Sequence, residues 1–298
     1  MQVSGASNET MANNNEINGI TFEPATDNVG VQVHGVDLRA PLSGAAFSLL
    51  DDAFNQHGVM FFRGQNLSAE EQIAFARRFG ELEVNFNSDL YGLAGVPEIF
   101  VIGNIEQDGK AVALKGVGTT WHSDMCYSAI PPRATMLYAL EVPQLHGLTL
   151  GDTCFASAAA AWDALPETLQ KQLEGKRATF DFRGRQRSRP VSDETVARYP
   201  PVEHPIVRVH PATGRKSLYV MRDDCTAIEG LPQPEAQRLI AALADHILRP
   251  EFVYRHQWQA GDVLLWDNCT VQHRAIADYA LPQRRCMYRA TIAGTQPK

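Results

Sequence analysis

The sequence predicts a mainly β protein with helices (α+β), built on a barrel of the jelly-roll type, and three observations favour this fold class. Many short runs of apolar, β-branched and aromatic residues are separated by turn residues. Strands and helices do not alternate regularly, as they would in parallel βαβ units. Residues that could hold a metal ion stand at the ends of strand-like runs. We therefore expect a barrel decorated with helices.

The first elements can be assigned in chain order. Residues 1–18 are polar, Asn-rich and without periodicity, and we predict a disordered tail followed by one domain over residues 19–298. Apolar runs at 19–26, 29–38 and 59–64 predict strands, and residues 47–57 predict a helix between the last two.

A second helix is predicted over residues 69–80, because Ser68 and Glu71 form the pattern of a capping box and Gly80 can end the helix. Residues 81–120 contain Asn, Gly and Asp with little periodicity, except for a strand-like run at 98–105. We interpret this long segment as a candidate lid or substrate loop.

The remaining segments predict two helices, a hairpin and five further strands. The hairpin is predicted around residues 211–214, with Pro, Ala, Thr and Gly at its turn. The helices are predicted at 157–175 and 234–250, and the strands at 133–140, 149–155, 252–258, 262–268 and 285–294. The basic run at 183–189 is interpreted as a solvated loop, with a mobile cover that attracts an anionic substrate as the alternative.

Composition excludes several classes of partner. The formal charge of −7 argues against nucleic acid and against anionic membranes. No apolar run has the length needed to span a bilayer, and the N-terminal residues lack the pattern of a secretory signal. Five cysteines without CxxC spacing predict reduced thiols and a cytoplasmic location.

Two histidines and an aspartate form the most informative pattern in the chain. His122 and Asp124 are two residues apart, so on an extended chain both side chains lie on the same side. His273 is far downstream, close to another strand-like run. Two imidazoles and a carboxylate without a thiolate are the ligand set of a non-haem Fe(II) centre. The alternatives are a surface loop in which Asp124 forms an Asx turn, and a histidine that belongs to the core.

Two arginines near the C-terminus suggest an anion site. Arg285 and Arg289 have the same parity, so on a strand they lie on the same face. An arginine inside a barrel is unfavourable unless it meets an anion, and its guanidinium matches the geometry of a carboxylate. Pairing with acidic residues on the outer face is the alternative.

Three segments together resemble the taurine/2-oxoglutarate-dependent dioxygenase family, which includes the 2,4-dichlorophenoxyacetate and alkylsulfatase dioxygenases. They are WHSD (121–124), LGDTCFAS (150–157) and GDVLLWDNCTVQHRAIADYALPQRRCMYRATIAG (261–294). The resemblance implies a double-stranded β-helix that holds Fe(II) through His122, Asp124 and His273. It also implies that Thr153 and Arg285 bind the distal carboxylate of 2-oxoglutarate.

The resemblance further implies a reaction and a set of substrate contacts. O2 and 2-oxoglutarate would be consumed, and succinate and CO2 released, while a C–H bond of a small anionic substrate is oxidised, with hydroxylation favoured. Arg289 would hold the acidic group of the substrate. Asn85 stands where the taurine enzymes carry a histidine, which makes taurine doubtful as the substrate. Asp224 stands where an aromatic residue often walls the pocket, with a solvated turn as the alternative, and Met125 is a further candidate contact.

Two other functions stay open at this point. The first is a non-catalytic barrel that binds a small acid, and the second is a zinc hydrolase that uses the same ligand set. By analogy with the family, we also expect a homo-oligomer.

Overall fold

The computed structural model describes residues 19–185 and 192–298. The predicted tail at 1–18 and residues 186–189 of the basic run lie outside the described residues.

Strands dominate the described chain. They are β1 (Thr21–Pro24), β2 (Val31–His34), β3 (Val59–Phe62), β4 (Leu82–Glu83), β5 (Gly92–Leu93), β6 (Val96–Gly103), β7 (Glu106–Gln107), β8 (Lys110–Ala111), β9 (Ala134–Glu141), β10 (Gln144–Leu145), β11 (Leu148–Thr149), β12 (Thr153–Ser157), β13 (Arg177–Phe180), β14 (Val202–Pro205), β15 (Val207–Val209), β16 (Lys216–Leu218), β17 (Cys225–Ile228), β18 (Val253–His256), β19 (Val263–Asp267), β20 (Val271–Ala275) and β21 (Cys286–Ile292).

Helices are fewer and mostly short. They are α1 (Gly44–His57), α2 (Ala69–Ala76), α3 (Ser88–Tyr91), α4 (Ala158–Asp163), α5 (Glu167–Leu173), α6 (Asp193–Arg198) and α7 (Gln233–Ile247), with 3-10 turns at Arg77–Phe79 and Pro250–Phe252. The predicted capping box is confirmed, because the Ser68 side chain accepts from the Glu71 backbone N–H and the Glu71 carboxylate accepts from the Ser68 N–H.

The largest sheet separates two hydrophobic cores. Among the described residues its strand order is β1-β2-β3-β19-β9-β21-β6-β5, with β4 paired to β21. Alternate side chains lie on opposite faces of a strand. One face, which we call the outer face, packs against α1 and α2 through residues such as Met60, Met136 and Leu265. The opposite, inner face carries Leu137 and Trp266.

A second sheet lies against the inner face. Its order is β18-β12-β20, and Phe155 of β12 is paired with Tyr254 on one side and with His273 on the other. Phe155 and Trp266 lie 5.8 Å apart between their ring centroids, in one buried cluster. The space between two packed antiparallel sheets is where a jelly roll holds its ligands, so the fold positions a site here.

A third layer has a hydrophobic core of its own. The strands of the sheet β14-β13-β17, the hairpin of β15 and β16, and helices α4 and α7 share a core that includes Phe180, Tyr219 and Ile240. The predicted hairpin is confirmed for β15 and β16. The preceding strand β14 pairs instead with β13.

One predicted helix was wrong in its extent. The pattern at 157–175 predicted a single helix, whereas the structure has α4 and α5 with a break at Pro166. Proline lacks a backbone N–H and its ring clashes with the preceding turn, so it can begin a helix but not continue one. The predicted helix at 234–250 is confirmed as α7.

Among the described residues, no helix combines the length and apolar character that a membrane crossing needs.

Candidate active site

The backbone brings the two candidate histidines together. The His122 N–H donates to the carbonyl of His273 at 3.0 Å, and the His273 N–H donates back to the carbonyl of His122 at 2.8 Å. This isolated bridge sets the imidazole centroids 4.2 Å apart. Residues that are distant in sequence therefore meet through β-type pairing along the edge of β20 that faces away from β12. The strand β20 was not among the predicted strands.

Three ligand atoms converge at this point. Asp124 Oδ1 lies 3.8 Å from His122 Nε2 and 3.8 Å from His273 Nε2. One atom from each of the three residues lies within 4.8 Å of the others, and all three residues are buried. Separations of this size are too long for hydrogen bonds. The atoms surround a gap in which one ion can contact all three, so the donor set fits Fe(II).

Neighbouring groups fix the orientation of the imidazoles. His122 Nδ1 lies 2.8 Å from the carbonyl oxygen of Thr120. A carbonyl only accepts, so Nδ1 carries the proton and the lone pair of Nε2 is directed to the other ligands. The His273 ring packs against Trp266 with centroids 4.6 Å apart and against Phe155 at 6.1 Å.

The charge states of the three residues suit metal binding. Burial holds the pKa of His122 well below its usual value and lowers the pKa of His273 to about 4. Burial alone would raise the pKa of Asp124, but the Arg289 guanidinium and the two imidazoles outweigh it, and the pKa is lowered. At neutral pH the imidazoles are neutral and the carboxylate is ionised, as metal ligation requires.

The second oxygen of the aspartate is held by other residues. Asp124 Oδ2 accepts from Thr135 Oγ1 at 2.7 Å and lies 3.0 Å from Arg289 Nη2. Asn268 supports the same group, because its Oδ1 accepts from the Asp124 backbone N–H at 3.2 Å and its Nδ2 donates to Thr135 Oγ1 at 3.3 Å. These contacts leave Oδ1 facing the imidazoles.

Thr135→Val should lower the affinity for Fe(II) or Mn(II) by about tenfold, because loss of a hydrogen bond to a ligating carboxylate typically costs 10- to 100-fold. Valine keeps the shape of threonine, so the fold should persist. Thr291→Val is the matched control, since Thr291 pairs with Thr135 on the neighbouring strand and makes no hydrogen bond to the ligand set. Calorimetric titration with Mn(II) measures the effect. Equal affinities of the two variants would show that the Thr135 contact is unimportant.

A second buried group lies at the start of β21. Arg285 is 4% exposed, and no carboxylate of the described residues lies within ion-pair distance of its guanidinium. Its Nη2 lies 3.4 Å from the Gly151 carbonyl oxygen, while its Nε has no acceptor among the described residues. Burial lowers its pKa. A buried cation without an anion is costly, so this position fits a bound carboxylate.

Glycine keeps space open beside this cation. Gly151 has a φ of +75°, and a Cβ there would lie 3.1 Å from Arg285 Nε and 3.1 Å from Cε1 of Tyr279. The Gly151 N–H donates to Asp278 Oδ1 at 2.7 Å, which fixes the turn. Thr153 follows on β12 and is buried. We refer to Gly151, Thr153, Tyr279 and Arg285 as the carboxylate cradle.

The four candidate substrate residues have different surroundings. Arg289 lies on the inner face and pairs with Asp124. Asn85 is half-buried just beyond β4, and its Oδ1 accepts from the Asn87 N–H at 2.9 Å. Met125 has a φ of +45° and packs against the core of the third layer.

Asp224 is fully buried, so the alternative of a solvated turn was wrong. Its two carboxylate oxygens accept from Arg185, at 3.2 Å from Nε and 2.7 Å from Nη2. Arg185 belongs to the basic run that was predicted to be solvated. This prediction holds for Arg183, whose side chain is 62% exposed, and is wrong for Arg185, whose side chain is 14% exposed. Arg185 Nη2 also lies 3.9 Å from Cys126 Sγ, two residues beyond Asp124, and the Arg185 charge contributes to the lowered pKa of both imidazoles.

A second buried cluster contains His210, Asp267 and Cys269. His210 Nδ1 accepts from the backbone N–H groups of Ala212 at 3.2 Å and Thr213 at 3.1 Å. Its Nε2 therefore carries the proton, and it lies 3.1 Å from Asp267 Oδ2. With no lone pair directed inward, this imidazole is structural.

Two neighbours of the ligand set that the sequence did not indicate are Thr135 and Asn268. Asn268 lies in a motif that was noticed, but no spacing rule links it to the groups it contacts. Thr135 meets the site only through the packing of its strand.

A buried histidine, aspartate and histidine between two packed β-sheets, beside a carboxylate cradle, define the class of non-haem iron enzymes that use a small oxo acid. Within that class, the chain belongs to the family described as "Taurine catabolism dioxygenase TauD, TfdA family", which it matches over residues 21–291. It is a 2-oxoglutarate-dependent dioxygenase, which uses Fe(II), 2-oxoglutarate and O2.

Relatives cover most of the chain. It is 38% identical over 274 residues to the alpha-ketoglutarate-dependent 2,4-dichlorophenoxyacetate dioxygenase of Cupriavidus pinatubonensis, covering 87% of this chain and 92% of that protein. It is 33% identical over 284 residues to the (S)-phenoxypropionate/alpha-ketoglutarate-dioxygenase of Sphingobium herbicidovorans, covering 91% of this chain and 94% of the relative.

Solved structures agree with the fold. A putative alpha-ketoglutarate-dependent taurine dioxygenase from Burkholderia xenovorans superimposes with a TM-score of 0.79 at 32% identity, covering 94% of each chain. The structure of AAD-2 in complex with Mn(II) and N-oxalylglycine gives a TM-score of 0.77 at 31% identity, covering 93% of this chain and 98% of that one. The jelly-roll prediction is therefore confirmed.

Proposed function

We propose that this dioxygenase hydroxylates a C–H bond of a small anionic organic compound at the site formed by His122, Asp124 and His273. The observation that carries the proposal is the convergence of two neutral imidazole nitrogens and one ionised carboxylate oxygen on a single buried point. When bound, Fe(II) with 2-oxoglutarate and O2 supplies the oxidising chemistry, and succinate and CO2 are released.

The protein residues contribute positioning and protection from water. His122, Asp124 and His273 would hold the metal from one side and leave the opposite side for the cosubstrate and O2. Thr135 and Arg289 keep the second oxygen of Asp124 occupied, so this residue would bind through Oδ1 alone. The Trp266 and Phe155 rings pack against the His273 imidazole and shield it from water.

Arg285 and Thr153 would bind the distal carboxylate of 2-oxoglutarate. Support comes from the buried Arg285 Nε, which has no acceptor among the described residues, and from the space that Gly151 keeps open. An arginine fork can form two parallel hydrogen bonds with a carboxylate. Binding at this end would orient the oxo-acid end toward the metal ligands.

Arg289 is the candidate for the anionic group of the substrate. Two relatives are named for 2,4-dichlorophenoxyacetate and (S)-phenoxypropionate, which both carry a carboxylate. Asn85 and Met125 are proposed as further contacts. Asp224 would act through Arg185, which it holds beside the site.

We also propose that residues 19–298 form one domain, that the protein assembles as a homo-oligomer, and that neither nucleic acid nor a membrane is a partner. All five cysteines are unpaired, which supports a reducing compartment such as the cytoplasm.

The proposed site can be tested by a spectroscopic titration without O2. Fe(II) and then 2-oxoglutarate are added to the apo-protein, and the visible iron-to-ketoacid charge-transfer band is recorded for the wild type, His122→Ala and Arg285→Ala. We expect a band in the wild type, none in His122→Ala, and a band in Arg285→Ala only at much higher 2-oxoglutarate concentration. Absence of the band in folded, iron-loaded wild-type protein would overturn the proposed residues of the metal and 2-oxoglutarate sites.

A further inference from the structure

Thr153 of the carboxylate cradle forms a hydrogen bond with Trp258, and only one of these two side chains can be the donor. Trp258 Nε1 lies 3.0 Å from Thr153 Oγ1, and both side chains are buried. An indole N–H can only donate, whereas a hydroxyl can donate or accept. The Thr153 oxygen must therefore accept from Trp258.

The hydroxyl proton of Thr153 is consequently left without an acceptor. Among the described residues, the bond from Trp258 is the single hydrogen bond of this hydroxyl. A buried donor without an acceptor costs free energy. The neighbouring cationic group, Arg285, likewise has an unused N–H at Nε. Thr153 lies two residues beyond Gly151, against which the Arg285 side chain packs, so two unsatisfied donors are available here for the two oxygens of a carboxylate.

Trp258 is itself held firmly. Its ring packs edge-to-face against His256, with centroids 4.6 Å apart and an interplanar angle of 82°. The His256 ring is fixed on both sides, because Nδ1 accepts from the Tyr254 hydroxyl at 2.8 Å and Nε2 lies 3.1 Å from Asp262 Oδ2. Asp262 is also paired with Arg63. A donor anchored in this way keeps its direction when the ligand is absent.

We propose that Trp258 is a positioning residue for 2-oxoglutarate, which acts by holding the Thr153 hydroxyl with its proton available to the distal carboxylate. The inference rests on the proposed function. Without the indole N–H, the Thr153 hydroxyl can rotate toward other acceptors. Cosubstrate binding must then reorient the hydroxyl, and this lowers the net free energy of binding. Trp258 then contributes to affinity for the cosubstrate without touching it.

The opposing interpretation is that Trp258 only fills the core. It belongs to the buried cluster between the two sheets, together with Phe155 and Trp266, and its removal could loosen the site without any effect through a hydroxyl. A double-mutant cycle separates the two interpretations, since only a pathway through Thr153 disappears when the hydroxyl is removed.

The experiment measures binding of N-oxalylglycine, an unreactive analogue of 2-oxoglutarate, to Mn(II)-loaded protein by calorimetry. The variants are Trp258→Phe, Thr153→Val, both together, and Thr153→Ser. Trp258→Phe should raise the dissociation constant about 5- to 10-fold, as expected for a weakened hydrogen bond to a charged group. In the Thr153→Val background it should have no further effect. Thr153→Ser keeps the hydroxyl and should bind nearly as the wild type does.

A second measurement leaves Trp258 intact. In protein with ¹⁵N-labelled indoles, the Trp258 N–H resonance is assigned by elimination, with Phe substitutions at the three other tryptophans. It should move when N-oxalylglycine binds, because the hydroxyl that accepts from it becomes a donor to an anion. In Thr153→Val it should resemble an indole without an acceptor. This measurement decides the question if Trp258→Phe fails to fold.

The possible outcomes separate the two proposals. If wild-type protein does not bind N-oxalylglycine, the proposed function fails. If it binds, and Trp258→Phe has no effect or has the same effect with and without the Thr153 hydroxyl, only the role of Trp258 is overturned. An indole resonance that does not respond to the ligand overturns it as well.

Discussion

Arg285→Ala is expected to raise the dissociation constant of 2-oxoglutarate by roughly two to three orders of magnitude. Loss of one member of a buried, hydrogen-bonded charge pair costs about 2–5 kcal/mol, and Arg285 is the buried cation of the carboxylate cradle. Arg285→Lys should recover part of the affinity, because an ammonium keeps the charge but lacks the fork geometry. Titration of the charge-transfer band with 2-oxoglutarate gives the affinities.

The neighbouring arginine provides a matched control for this variant. Arg284 is half-exposed and pairs with Glu141 through two hydrogen bonds of 2.7 and 2.9 Å. Arg284→Ala removes the same kind of side chain from the adjacent position, and it should leave 2-oxoglutarate binding unchanged.

In the ligand-free protein, Arg285→Ala should not be strongly destabilising, because no carboxylate of residues 19–185 or 192–298 pairs with this arginine. Denaturant unfolding of the apo-protein tests this point. A variant that binds 2-oxoglutarate like the wild type would mean that the cosubstrate carboxylate lies elsewhere.

Asp124→Asn is expected to lower the affinity for Fe(II) by at least about 100-fold and to remove detectable coupled turnover. The substitution keeps the shape of the side chain but replaces the ionised ligand by a neutral amide, a poorer metal ligand. It also removes the negative charge of the carboxylate, whose Oδ2 lies 3.0 Å from Arg289 Nη2. The measurements are calorimetric titration with Mn(II) and succinate formation in the presence of O2.

Glu83→Gln provides the control for charge alone. Glu83 pairs with Thr291 in the register of β4 and β21, and it is a half-buried carboxylate on the same sheet face as Arg289. It lies outside the ligand set, so Mn(II) affinity should not change. Equal losses in Asp124→Asn and Glu83→Gln would indicate a general effect of negative charge and contradict direct ligation by Asp124.

The sequence correctly predicted those features that depend on residues only a few positions apart. The capping box of Ser68 and Glu71 forms within one helical turn, and it is found as predicted. His122 and Asp124 are two residues apart, and their side chains do reach the same point. Strand patterns predicted the fold class because apolar alternation reflects the two faces of a sheet.

The sequence predicted the structure less well in two segments, where residues close together favoured different structures. The apolar spacing from 157 to 175 suggested one helix, but Pro166 prevented continuation. The run that carries Arg183 and Arg185 has one composition, yet the first arginine is solvated while the second is buried against Asp224. Composition cannot distinguish them, because burial depends on what packs above each side chain.

The sequence alone determined the class of this protein: short motifs in three separate segments supplied the candidate ligand types, and their joint resemblance to a known family implied the cosubstrate and the jelly-roll fold. Only the tertiary structure decided which neighbouring side chains form hydrogen bonds to the candidate ligand and cosubstrate residues. Thr135 reaches Asp124 from β9, and Trp258 reaches Thr153 from beyond the end of β18. Hydrogen bonds of this kind depend on strand register and on the packing of two sheets. They bring together residues with no fixed separation along the chain, so no local pattern could have indicated them.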